Sequence, residues 1–74
     1  MNADKLHRER VRAFQHELRR TILATLGRGK RTLPELASSI SDPPPLAVLV
    51  YHLRILHRVR MVECVRGVYQ LPPR

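Results

Sequence analysis

The chain has 74 residues, 14 Lys and Arg against 6 Asp and Glu, and a formal charge of +8. That length holds one small domain and excludes a second, at a size where a single core contributes little net stability and association or a ligand often supplements it. The charge points to a polyanion as partner, nucleic acid before an acidic membrane surface, with genome base content and plain solubility as the bland account of the same arginines. A single cysteine, Cys64, excludes an intramolecular disulfide, and no apolar run approaches the roughly 18 residues of a membrane span. Met1 to Arg12 is charged and has no apolar signal-peptide segment, so a cytoplasmic location is expected.

From Asp4 to Leu26 apolar residues recur at Val11, Phe14, Leu18, Ile22 and Leu26, steps of three and four that predict a helical stripe ended by Gly27 and Gly29. Nothing at Gln15-His16 is a decisive breaker, so one long helix and two shorter ones both fit. Residues 1–13 read as an amphipathic extension with a basic outer face. Lys30-Arg31 is a short extended link and a candidate minimal strand. Thr32-Leu33-Pro34-Glu35 has the spacing of a capping box, with Pro34 in the first turn, where its missing N–H costs nothing. The helix it starts runs from Leu33 to about Ile40 and buries Leu36, Ala37 and Ile40. Ser41-Asp42-Pro43-Pro44-Pro45 is then a turn, because the prolines hold the chain extended.

Leu46 to Arg58 is the next helix. At about 100° per residue, Leu49, Leu53 and Leu56 fall within one narrow stripe, with Leu46 and His52 at its margins. Ala47, Val50, Tyr51, Arg54 and Arg58 lie on the opposite side, where two guanidinium groups and a phenol have no place in an unpaired core. Val62 to Leu71 reads as a hairpin about an Arg66-Gly67 turn, with Gly67 supplying positive φ. The register pairs Val65 with Val68, Cys64 with Tyr69, Glu63 with Gln70 and Val62 with Leu71. Its inner face is Val62, Cys64, Tyr69 and Leu71. Pro72-Pro73-Arg74 is a frayed tail.

Leu18-Arg19-Arg20-Thr21-Ile22-Leu23, Glu35-Leu36-Ala37, Val50-Tyr51-His52-Leu53-Arg54-Ile55-Leu56 and Met61-Val62, taken in order, resemble the ArsR-type winged helix-turn-helix regulators over about Phe14 to Leu71. The resemblance implies an α+β, mainly α fold: a three-helix core with a C-terminal β-hairpin wing, in a DNA-binding domain spanning 14–71. It implies a prokaryotic, cytoplasmic, repressor-like transcription regulator that places the helix around 46–58 in the major groove with the 62–71 hairpin as wing. Double-stranded DNA is the expected partner. A homodimer is expected as well, and because the chain as given stops at the wing, the dimerisation residues expected are Val11 and Phe14. Three features depart from the family pattern: Arg60 stands where Gly is usual, the proline run is long, and apolar Ala47, Val48 and Val50 occupy the reading face.

On this reading the DNA-contacting residues are Ala47, Val48, Val50, Tyr51, Arg54 and Arg58 on the helix, Arg66 at the wing tip, and Lys30 with Arg31 on the flank. Arg54 suits a guanine edge or a phosphate, Tyr51 a phosphate, and Ala47 and Val50 thymine methyls. Two alternatives remain: a winged-helix protein-interaction module using the apolar Val48, Val50 and Ile55 patch, and a nonspecific nucleic-acid binder relying on the first, Arg-rich helix. His52 reads as a packing residue with one hydrogen bond. His7, His16, His52 and His57 lack zinc-site spacing and Cys64 is expected to be buried and inert, so neither metal nor cofactor is expected. No catalytic constellation occurs, and an enzyme is not expected.

Overall fold

The computed structural model describes residues 3–73, leaving Met1, Asn2 and the last residue of the tail, Arg74, outside the described residues. It is an α+β structure, mainly helical, in the order α1 (Ala3–Phe14), α2 (Glu17–Gly27), β1 (Arg31–Thr32), α3 (Leu33–Ser39), α4 (Leu46–Arg58), β2 (Glu63–Val65) and β3 (Val68–Gln70). The strands form one antiparallel sheet in the order β1-β3-β2.

The stretch left open by periodicity is two helices. His16 is the reason: its backbone is extended, and its Nδ1 accepts from the Leu18 N–H, 3.2 Å away, at the start of α2. Arg20 closes the other side of the break, donating from Nη1 to the Phe14 and Gln15 carbonyls at 3.1 and 2.9 Å, groups that the end of α1 leaves without helical partners. The break resets the helical phase. α1 packs through Leu6 and Ala13, whereas Val11 and Phe14, expected in the same stripe as Ile22 and Leu26, are 46% and 49% exposed.

Thr32 and Glu35 form the expected capping box: the Glu35 N–H donates to Thr32 Oγ1 at 3.3 Å and the Thr32 N–H donates to Glu35 Oε1 at 2.9 Å. The Thr32 backbone N–H first, and then the Thr32 side chain, hold the Glu35 carboxyl below its ordinary pKa. Thr32 also pairs with Val68 in the sheet, and Arg31 with Tyr69. One residue therefore both starts α3 and fastens the hairpin to it.

The core joins Ile22 and Leu26 of α2, Leu36 of α3 and Leu49, Leu53 and Leu56 of α4, closed by Ala13, Ile40, Val59 and Val62. Full burial of side chains of this size contributes about 1.5–3 kcal/mol each before chain entropy is set against it. Thr25, the buried hydroxyl of α2, donates to the Thr21 carbonyl at 2.9 Å and so carries no unsatisfied donor inward.

The hairpin has the expected register at Glu63 opposite Gln70, Cys64 opposite Tyr69 and Val65 opposite Val68, whereas the expected pair of Val62 with Leu71 lies outside the strands. Both turn residues have positive φ, 53° at Arg66 and 79° at Gly67, the combination a twisted two-residue turn needs. Its inner face is shallower than the alternation predicts. Val62 is buried and Tyr69 half-buried, but Cys64 is exposed and Leu71 is 38% exposed. The hairpin stands away from α4 and leaves an open cleft lined by Leu53, Arg54, His57, Cys64 and Tyr69, so the thiol expected in the core lines a cleft wall.

α4 ends in a doubly bonded C-terminal turn, with the Met61 N–H donating to the Leu56 carbonyl at 2.9 Å and the Arg60 N–H to the His57 carbonyl at 3.0 Å. That turn requires a left-handed residue, and Arg60 fills it at φ 62°. A side chain there is strained by roughly 1–2 kcal/mol relative to an allowed conformation. Arg60→Gly should therefore stabilise the fold by about 1 kcal/mol, part of the relief being offset by the greater freedom of Gly in the unfolded chain. Thermal melts should show a midpoint rise of roughly 4–8 °C; an unchanged or lowered midpoint would mean that the arginine side chain repays its strain locally.

Candidate nucleic-acid interface

α4 has neither Gly nor Pro within it and starts as soon as the proline run permits: Pro45 is its extended N-cap, and the Pro45 carbonyl accepts from the Val48 and Leu49 N–H groups at 2.9 and 3.1 Å. Burial of Leu49, Leu53 and Leu56 fixes the rotation of the helix about its axis. The other side, carrying Ala47, Tyr51, Arg54 and Arg58, is then exposed as a geometric necessity, while Val50 is half-buried at its edge. At the N-terminal end the surface is apolar, with Leu46 55% and Val48 40% exposed.

From Leu46 onward the sequence has one carboxylate, Glu63, against Arg54, Arg58, Arg60, Arg66 and Arg74. Glu63 Oε1 accepts from Gln70 Nε2 across the hairpin. Among the described residues no carboxylate pairs with Arg54, Arg58, Arg60 or Arg66, so this side of the molecule carries uncompensated positive charge. The local field therefore has the sign that concentrates polyanions.

Arg66 is exposed at the hairpin tip. Lys30 is exposed and Arg31 half-buried on the other flank of the sheet, and Arg31 Nη1 donates to the Lys30 carbonyl at 2.9 Å, which folds that side chain along its own strand. α4 and the sheet meet at Arg54 and Tyr69, which line a common cleft. Burial, then the neighbouring Cys64 thiol, raises the Tyr69 phenol above its ordinary pKa, with Arg54 opposing the shift. Tyr69 thus stays a neutral hydroxyl beside Arg54. Tyr51, Arg54 and Arg58 are brought together on one helix face; Arg66 stands apart at the hairpin tip, and Lys30 and Arg31 at the β1 edge of the sheet.

The contacts that His16 and Arg19 make with His52 behind this face were not singled out from the sequence. Tyr51 meets the edge of the His52 ring, with centroids 5.2 Å apart and planes at 77°, and His52 is in turn 4.3 Å from the His16 ring. Arg19 Nε donates to His52 Nδ1 at 3.0 Å. His52 is thus the hydrogen-bonded packing residue expected, and α2 braces the ring on which Tyr51 rests. Arg19 and His52 are 33 positions apart, and no local pattern announces such a pairing. Among the described residues no three His, Cys, Asp or Glu side chains converge as a metal site.

Burial chiefly, then the His16 ring and the Arg19 guanidinium, holds the His52 imidazole below its ordinary pKa. The folded state therefore favours the neutral ring, whose Nδ1 accepts from Arg19, while the unfolded chain takes up a proton near pH 6.5. Between the folded and unfolded pKa values the unfolded state binds more protons, so this contribution is intact above pH 6.5 and is lost as pH falls through and below that value. Thermal melts should show a lower midpoint at pH 5.5 than at 7.5. His52→Gln, which keeps an acceptor for Arg19 but does not titrate, should flatten that dependence; equal slopes for both proteins would assign it to another group.

No family model matches this chain, and no characterised protein or solved structure similar to it is found.

Proposed function

We propose that this chain is a winged helix-turn-helix DNA-binding protein of the ArsR type, a repressor-like regulator that places α4 in the major groove with the β2–β3 hairpin as its wing. The observation that carries the reading is the exposed Tyr51–Arg54–Arg58 face of α4, free of carboxylate partners and opposite the buried Leu49–Leu53–Leu56 stripe. A helix so presented fits the width of the groove. Arg54 and Arg58 supply donors for a guanine edge or phosphates, Tyr51 a phenolic hydroxyl that donates to a phosphate, and Ala47, Val48 and Val50 apolar contacts for thymine methyls. Arg66 at the wing tip, with Lys30 and Arg31 on the flank, supplies backbone contacts. Val11 and Phe14, half-exposed on the outer side of α1, are the proposed dimer contacts.

The exposed Leu46 and Val48 favour a second reading, in which the start of α4 docks on another protein. Salt separates the two: phosphate binding weakens steeply as salt rises, whereas apolar docking does not.

Selection of bound duplexes from a random pool should yield a preferred sequence. On that duplex Arg54→Ala should weaken binding by roughly 1–3 kcal/mol, and Tyr51→Ala should weaken it as well, both with unchanged melting midpoints. Unaltered affinity in both variants would remove α4 from the interface. Arg66→Asn keeps a residue that tolerates positive φ but removes the charge; it should lower the slope of log affinity against log salt by about one unit on specific and random duplexes alike. Phe14→Glu should shift sedimentation to the monomer and weaken binding to a two-half-site duplex, and a variant that still sediments as a dimer would place the interface elsewhere.

A further inference from the structure

Arg10, Arg58 and Arg60 line one cleft where α1, the end of α4 and the foot of the hairpin meet, together with His57, Val62, Glu63 and Pro72. A second cleft shares Arg10, Arg60 and Pro72 and continues over Leu23, Met61 and Leu71. The two adjoin through those shared residues and bring arginines together with apolar side chains.

Arg10 is held at its guanidinium and Arg60 at its backbone. Arg10 Nε donates to the Val59 carbonyl at 2.9 Å, leaving the Nη donors of that guanidinium without a protein partner among the described residues. Arg60 stands on the doubly bonded turn that ends α4, in a left-handed conformation where glycine is relaxed and arginine is strained. Strain kept at a residue that contributes nothing to the core is a mark of use by its side chain. The one carboxylate lining the groove, Glu63, is engaged by Gln70 and offsets only part of the charge.

We propose that this groove is a phosphate-binding site, with Arg10 as its anchored donor, Arg60 projecting beside it from the turn that ends α4, and Arg58 as the wall it shares with the outward face of α4. Convergent guanidinium forks, one of them already oriented at Arg10, suit the tetrahedral, multiply charged oxygen cluster of a phosphate. The phosphate has two sources: the backbone of DNA already engaged by α4, in which case the proposal deepens the reading above, or a free phosphate ester whose body lies on Leu23, Met61 and Leu71.

The test titrates inorganic pyrophosphate into the full chain at constant ionic strength and follows the arginine side-chain Nε–H resonances. Saturable shifts are expected at Arg10 and Arg60 and not at Arg28, which lies outside both clefts. Arg60→Gly should weaken pyrophosphate binding at least fivefold even though its fold is expected to be tighter, and Arg58→Gln should weaken it less; Arg28→Gln, which removes the same charge elsewhere, should leave it unchanged. Linear shifts shared by all arginines, or equal affinity in Arg60→Gly and the wild type, would overturn the site.

A random duplex then identifies the source. If the DNA backbone supplies the phosphate, Arg60→Gly lowers the salt slope by about one unit. If pyrophosphate binding is lost while the slope is unchanged, the occupant is a free phosphate ester. Saturable pyrophosphate binding in a protein that binds no duplex at all would retain the site while removing the DNA reading, so the two stand or fall on separate measurements.

Discussion

The burial of Leu49, Leu53 and Leu56 against Ile22, Leu26 and Leu36 is the constraint from which the rest of this structure follows. In so small a domain no second core exists to hold α4 if those side chains leave the first. Their burial decides the rotation of the helix about its own axis, and with it which residues meet solvent. Tyr51, Arg54 and Arg58 are presented because the leucines are hidden. A polar residue at Leu53 would lose the packing of a fully buried side chain and, by letting the helix roll, the alignment of the exposed one.

The parts legible in the sequence are those governed by near neighbours. Thr32 and Glu35 find each other across three positions, and the Arg66-Gly67 turn sets the hairpin register without reference to the rest of the chain. The α4 stripe belongs to the same class, since its period is internal to the helix. The break between α1 and α2 was not legible, because histidine is an uncommon N-cap and Arg20 finds the carbonyls it binds only once the break exists. Without that break Val11 and Phe14 read as continuous with Ile22; with it they turn outward. Cys64 failed for a different reason: alternation along a strand tells which residues share a face, not how far that face stands from its neighbour. The arginine-lined groove joins α1 to the end of α4 and had no sequence signature beyond the unusual arginine at position 60.

Asp42, Arg60 and Arg66 all adopt positive φ without being glycine. Asp42 sits where an acidic or amide side chain is tolerated in a loop, but the two arginines have no such local reason. One stands at the end of α4 and the other at the hairpin tip, neither with a carboxylate partner among the described residues. Glycine would relax either backbone and would remove a cation from a surface whose field is its main chemical property.

Thr32 belongs to two structures at once, as the N-cap of α3 and as the sheet partner of Val68. A change in the tilt of the hairpin must pull on that pairing, and through it on the first turn of the helix. Hinge motion at the root of the hairpin is thereby coupled to unwinding, which is cooperative and costly. The angle between the hairpin and α3 is consequently set when the chain folds, and a force on the hairpin tip is felt first as fraying of the helix that Thr32 caps.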